Sequence, residues 1–431
     1  MATGDAKDTS QSVDFAERLP IELIQHIIAH LDDRVEDYYH EDRGNRRPIP
    51  CGLAACSLVC RAWSHICRAR IFRAVSLKYG VHRRLSFLYS TAPHLYKRIR
   101  NLCITLSPST FEDWIPDCTG RFTNVSELRL DAEFITGPIL GVLSDFGIMS
   151  LLPTLRLKRL ALDYWGVDEA MLDLIPILSA CSNTLESLSL EIYEVYRQAE
   201  GSDSPLPPSV CLYALRNLNI ISSICTPPPT NLIECPNLES LTVECTYGDS
   251  RWNIPSWIPA SLSELILHGD PTLDFPDFIT AIRPSILRIT ISRLRNYTLL
   301  DIMTWIGGWV GHLPDQTSLR QLAIVINGRH PSYSSLYPEV ADYAPLCSVI
   351  LPLFSRGGLE KISLNIAVYK KGTADDTIAT SRAVGAVEEA FAPILEEVSV
   401  NGFQCITCDH GKVDALLVKN MVETFRDGRF V

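Results

Sequence analysis

Two stretches read side by side decide the fold: Leu238-Glu239-Ser240-Leu241-Thr242-Val243 and Leu262-Ser263-Glu264-Leu265-Ile266-Leu267. Both fit the template L-x-x-L-x-L. Working outward, with Ile or Val allowed, the template recurs upstream at Ile99/Leu102/Ile104, Val125/Leu128/Leu130, Leu157/Leu160/Leu162, Leu185/Leu188/Leu190 and Leu215/Leu218/Ile220. Downstream it recurs at Ile286/Ile289/Ile291, Leu319/Leu322/Ile324, Leu359/Ile362/Leu364 and Leu395/Val398/Val400. Successive starts lie 26, 32, 28, 30, 23, 24, 24, 33, 40 and 36 residues apart. The closing L-x-L points two side chains inward from a short strand, and no single unit buries its own apolar face. Stacked neighbours complete the core, so the pattern predicts parallel strands from Ile99 to Val400 joined by crossovers.

The connecting segments differ in kind. Ile139–Met149, Glu169–Ala180, Thr298–His312, Val340–Phe354 and Thr377–Phe391 read as helices. Pro205–Pro208, Pro227–Pro229 and Ile254–Pro259 do not, because clustered prolines remove donors and clash with a helix interior. Those units are expected to have extended or turn-like backs. Val413 to Phe425 carries helical spacing at Val413, Leu416, Leu417 and Met421, and reads as a helix capping the last strand.

Upstream of the repeats the period is helical. Leu19-Pro20 opens a run with apolar residues at Leu23, Ile24, Ile27, Ile28 and Leu31, and Pro20 suits a first turn. A charged stretch, 32–50, separates this run from helical patterns at Leu53–Val59 and Arg61–Phe72. Leu19-Pro20-x-Glu22-Leu23-Ile24-x-x-Ile27-Ile28-x-x-Leu31, followed by Cys56-Ser57-Leu58-Val59-Cys60-Arg61-Ala62-Trp63 and Ile71-Phe72, resembles an F-box. The loop 32–50 is longer than the family's usual connection. The downstream units resemble irregular leucine-rich repeats, whose period is roughly 20–29 residues; the Asn or Cys usual three residues after the last template position is mostly missing.

The expected fold class is therefore α/β: a small N-terminal helical F-box, then an irregular leucine-rich-repeat solenoid with a curved parallel sheet. The expected organisation is a disordered 1–14, an F-box at 15–77, a connecting helical segment at 78–98, and the repeat domain with its C-terminal cap at 99–431. The combination resembles the substrate-recognition subunit of an SCF-type cullin–RING ubiquitin ligase. That resemblance implies an F-box docked on a Skp adaptor, through it a cullin scaffold, and repeats that hold a protein target. Matched to the F-box motif, the adaptor-binding residues are expected to be Leu19, Pro20, Leu23, Ile27, Leu58, Val59 and Trp63, with Cys60 and Phe72 setting the helices. A leucine-rich-repeat interaction scaffold unconnected with ubiquitination is the alternative.

Strand alternation also assigns a target face. The residues between and after the closing template positions point away from the core, which places Asp131, Asp163, Glu191 and Glu244 along one side of the early array. His268 follows on the next strand, and only Arg129 opposes the acids. The later strands contribute, among others, Thr290 and Ser292.

Composition narrows the function classes. The 431 residues are 46% hydrophobic with a net charge of −11, which disfavours a broad nucleic-acid or anionic-membrane surface. No apolar run approaches the roughly 18 residues of a membrane span. Met1 to Asp14 is polar without the apolar core of a secretory signal, and many of the 14 cysteines sit in apolar runs, so a reduced cytoplasmic or nuclear setting is expected. Cys405-x-x-Cys408-x-His410 lacks a fourth ligand at zinc spacing and is read as plain thiols, with no metal or other cofactor expected. Gly307-Gly308-x-x-Gly311 lacks the Lys and Ser/Thr of a phosphate loop and reads as close helix packing. No catalytic constellation is legible, and the chain is expected not to be an enzyme.

Overall fold

The computed structural model describes residues 20–24, 27, 55–58, 61–77, 93–106, 122–131, 143–144, 148–164, 170–192, 209–222, 233–245, 259, 262–269, 279, 282–291, 298–313, 318–328, 339–355, 359–368, 385–387, 389–392, 403–406 and 412–418. The first long helix, α1 (Arg61–Ile71), turns through Phe72 and Arg73 directly into strand β1 (Ala74–Leu77). Then follow β2 (Asn101–Thr105), β3 (Glu127–Asp131), α2 (Ile148–Leu151), β4 (Arg159–Tyr164), α3 (Ala170–Cys181) and β5 (Ser187–Ile192). The middle holds β6 (Val210–Cys211), β7 (Asn217–Ser222), β8 (Ile233–Glu234), β9 (Ser240–Cys245), β10 (Glu264–Gly269) and β11 (Ile286–Ile291). The last part holds α4 (Leu299–Gly311), β12 (Gln321–Gly328), α5 (Val340–Ser355), β13 (Lys361–Val368), β14 (Phe403–Ile406) and β15 (Lys412–Val418).

One sheet dominates, in the order β1-β2-β3-β4-β5-β7-β9-β10-β11-β12-β13-β15-β14. The eleven strands from β1 to β13 pair in parallel. A repeated hydrogen-bond rung starts each pairing. The carbonyl two or fewer residues before one strand accepts the two successive N–H groups that open the next, from Arg73 with Arg100 and Asn101 to Arg320 with Glu360 and Lys361. All of these bonds lie between 2.8 and 3.1 Å. The same backbone geometry thus recurs although the connections between strands differ greatly in length.

The template residues fill the interior. Leu128 and Leu130, Leu188 and Leu190, Leu241 and Val243, and Leu322 and Ile324 are all buried, with Val125, Leu185, Leu238 and Leu319 behind them. Each is flanked by its equivalent one strand away, as Leu241 is by Leu218 and Leu265. Helices supply the rest of this single core through Ile148, Ile177, Leu178, Ile302, Ile306, Leu346 and Ile350. The expected helices 169–180, 298–312 and 340–354 are present as α3, α4 and α5, and 139–149 and 377–391 are helical where described. Two of the three units expected to have extended or turn-like backs carry β6 and β8, which pair in parallel as a second small sheet, and 254–258 of the third lies outside the described residues.

Three sequence expectations are corrected. Register aligns Leu265 with Leu287 and Leu267 with Ile289, so the inward pair of β11 is Leu287/Ile289, continued by Ile291, and not the template as read from Ile286. A buried Pro284 occupies the first template position, which hid the frame. The segment opening at Val413 is a strand, β15, antiparallel to β13, and not a helix. The open edge of β13 needs backbone partners, and that requirement outweighs a helical spacing that also admits period-two alternation. The parallel run therefore ends at β13, and the expected strand at Leu395–Val400 lies outside the described residues, as does the loop 32–50.

The missing Asn of the template has local substitutes. Asn124 Nδ2 donates to the Lys97 carbonyl at 2.7 Å, and Asn237 Nδ2 to the Tyr213 carbonyl at 2.9 Å. Each stands one residue before a template start and ties its turn to the previous unit. Cys56, Cys67, Cys103, Cys181, Cys211, Cys235 and Cys347 are reduced thiols, and burial pushes the Cys181 thiol up to about 11 and those of Cys235 and Cys347 up to about 12. Among the described residues no helix is long and apolar enough to cross a membrane.

Candidate functional site

The N-terminal unit divides its apolar residues into two sets. Ile24, Trp63 and Cys67 form a small core of their own, separate from the large one, with Cys56, Ile66 and Ile71 packed against it. Burial raises the Cys67 thiol pKa, with a further contribution from the neighbouring Cys56. Leu23 and Ile27, four apart on one helical face, are exposed together with Pro20, and Leu58 in the turn before α1 is 85% exposed. A short helical unit with a minimal core therefore presents four apolar side chains to solvent, although their burial would contribute about 2 kcal/mol per leucine.

Of the expected adaptor residues, Pro20, Leu23, Ile27 and Leu58 lie at the surface, while Leu19 and Val59 lie outside the described residues. Trp63 is corrected: at 8% exposure it belongs to the unit's own core and is not a surface anchor. Helix α1 carries it inward one turn before Cys67, so its large area stabilises the fold that displays the other residues. Its Nε1 is buried and has no hydrogen-bond partner among the described residues. Sequence reading missed Ile21, which is 54% exposed beside Pro20. It lies off the helical stripe, and an apolar residue directly after the helix-opening proline was the available signal.

The second candidate region is the sheet face opposite the helices. In-register pairing places Thr105, Asp131, Asp163, Glu191, Ile221, Glu244, His268 and Thr290 in one row across eight consecutive strands. The expected alignment of the acids is therefore present. Their environment is not uniform: Asp131 and Asp163 are buried, at 4% and 9%, whereas Glu191, Glu244 and His268 are half-buried. Arg129 Nε donates to Asp163 Oδ2 at 2.7 Å, and Thr105 Oγ1 donates to Asp131 Oδ2 at 3.4 Å. Burial holds the His268 pKa below its usual value, against the opposing pull of Glu244.

The neighbouring row runs Cys103, Arg129, Ala161, Ser189, Asn219, Thr242, Ile266 and Arg288. Asn219 Nδ2 donates to Ser189 Oγ at 3.1 Å. Arg288 is the second functional candidate missed in the sequence, because the shifted frame had assigned its place to Thr290 and that of Thr290 to Ser292. Arg288 Nε pairs with Glu264 Oε1 at 2.9 Å.

A third level, at the strand entries, follows a different charge rule. Lys158, Glu186, Arg216 and Glu239 occupy successive units with alternating sign. Lys158 Nζ bonds Glu186 Oε1 at 2.8 Å, and Arg216 pairs with Glu239. The bond from Lys158 lowers the Glu186 pKa. Cys405 lies on β14, while Cys408 and His410 lie outside the described residues, and no described group of His, Cys, Asp and Glu is arranged to hold a metal.

Comparison with protein families matches residues 16–78 to the F-box-like family. The match covers the exposed apolar set and the small core, and it ends one residue past β1, so the matched segment includes the first strand of the large sheet. No curated protein matches the chain.

Proposed function

We propose that the chain is the substrate-recognition subunit of an SCF-type cullin–RING ubiquitin ligase, acting in the cytoplasm or nucleus. The observation that carries the reading is the solvent-facing Leu58, together with Pro20, Leu23 and Ile27, inside a segment that matches the F-box-like family. These side chains form the docking surface for a Skp adaptor, which links the chain to a cullin, and Ile21 widens that surface. The parallel sheet is the leucine-rich-repeat solenoid, in which one rung geometry recurs unit after unit, and its open face holds a protein target. The chain itself makes and breaks no bond. It contributes proximity, raising the effective concentration of the target's lysine at a recruited conjugating enzyme.

Purified full-length chain mixed with a Skp adaptor tests this directly. The expected result is a stable complex on gel filtration, lost in Leu23→Asp/Leu58→Asp while the circular dichroism spectrum and melting midpoint stay unchanged. Both positions are exposed, so the charges carry no burial penalty in the free chain. Adaptor binding that survives the double substitution, or that never occurs, would leave a repeat scaffold unconnected with ubiquitination.

A further inference from the structure

The sheet treats charge in two ways, at its strand entries and on the face away from the helices. At the strand entries, successive units alternate in sign, and each side chain finds its opposite one strand away. Along the row from Asp131 to Glu244 the sign repeats: Asp131, Asp163 and Glu191 are in direct register on three adjacent strands. Like charges directly opposite each other destabilise a sheet, and adjacent strands lie only about 4.8 Å apart. Among the described residues of this face on β3 to β11, three arginines stand against a larger number of carboxylates. Arg129 is bonded to Asp163, Arg159 Nη1 lies 3.4 Å from Glu127 Oε1, and Arg288 is bonded to Glu264. Six carboxylates (Glu127, Asp131, Asp163, Glu191, Glu244 and Glu264) thus meet three guanidiniums, a balance of −3. Among the described residues, the helices that share the large core pack on the other side of the sheet, whereas parallel sheets are ordinarily covered on both.

We propose that the open face between β5 and β10 binds a lysine- or arginine-bearing extended segment of the target, with Glu191 and Glu244 as the charged contacts. The inference rests on the reading that the sheet holds the target, and it adds the target's chemistry. Glu191 and Glu244 stand two strands apart, roughly 10 Å, which about three residues of extended chain span. Between and beside them Ser189, Asn219 and Thr242 offer uncharged hydrogen-bonding groups. Asp131 and Asp163 are buried and contribute field, not contact.

The experiment uses the full-length chain and three fluorescent Gly/Ser peptides of equal length, carrying lysines, glutamines or glutamates at the same positions. Fluorescence anisotropy at physiological salt should show binding of the lysine peptide alone. Glu191→Gln/Glu244→Gln should weaken it about ten-fold, the equivalent of about 1.4 kcal/mol. Glu186→Gln/Glu239→Gln makes the same change in net charge on the strand-entry level and should leave binding unchanged. Equal loss in both double variants would reduce the effect to the overall charge of the chain and overturn the proposal, as would binding of all three peptides alike or of none. Adaptor binding is read separately by gel filtration. A chain that captures the lysine peptide but no adaptor keeps this inference and loses the ligase reading.

Discussion

Arg129 on β3 reaches diagonally past Ala161, its in-register neighbour, and donates through Nε to Asp163 Oδ2 at 2.7 Å. The small side chain of Ala161 leaves that path open. Asp163 is itself in register with Asp131, so the guanidinium sits against two buried carboxylates on adjacent strands. Arg129→Met should therefore remove the guanidinium from between these like charges and cost about 3 kcal/mol. Urea denaturation provides the check, and Arg129→Met combined with Asp163→Asn should recover part of the loss. A change under about 0.5 kcal/mol would show the pair to be energetically idle.

Gly307 lies where α4 meets α5, and a Cβ built on it would stand 2.9 Å from the Pro345 carbonyl oxygen. That oxygen belongs to backbone and cannot swing aside. Gly307→Ala should force the helices apart and lower stability by about 1–3 kcal/mol. One residue on, a Cβ at Gly308 would meet nothing within 4 Å. Gly308→Ala should raise stability by up to about 1 kcal/mol, since it removes only helix-opposing backbone freedom. Opposite shifts of the melting midpoint are the expected signature.

His268 should make the fold sensitive to mild acid. Burial lowers its folded pKa below the unfolded value of about 6.5, against the pull of Glu244. The unfolded chain then binds the proton more readily, so stability is full above about pH 6.5 and declines as pH falls until the folded pKa is passed. His268→Gln should flatten this part of the curve. Parallel curves for the variant and the parent between about pH 5 and 7 would assign the titration to other groups.

Trp63 separates packing from hydrogen bonding. Its ring is in the small N-terminal core, and its Nε1 has no hydrogen-bond partner among the described residues. Trp63→Ala should cost about 3–5 kcal/mol and unfold this unit, abolishing adaptor binding indirectly. Trp63→Phe loses volume but no hydrogen bond, and should retain both the unit and its binding at a smaller cost. A Phe variant as damaged as the Ala variant would show that the indole N–H has a bonding role.

Much of this architecture is local and therefore legible in the sequence. L-x-L fixes which side chains of a strand face the core, since pleating alternates them whatever their neighbours do, and Leu241 and Val243 are buried for that reason. Thr298 and Asp301 likewise announce the start of α4. They form a reciprocal capping box, and its hydrogen bonds hold the Asp301 carboxyl below its usual range. Alignment of the acidic residues in one row follows from the same reasoning once each strand's frame is known.

Tertiary structure decided what the chain cannot state about itself. Register across β10 and β11, not the apolar spacing, selected Leu287 over Ile286 and brought Arg288 onto the open face beside Glu264. The unpaired edge of β13 turned the segment from Lys412 to Val418 into a strand, although its spacing allowed a helix. Within the F-box-like segment, residues of one chemistry divide into core and surface. Ile24 and Trp63 are buried while Leu23 and Leu58 face solvent, because only packing between separate segments determines which apolar side chains the small core can hold. Asp131 and Asp163 differ from Glu191 in the same way. Sequence placed all three on one face, and burial, which depends on atoms far along the chain, set their depth.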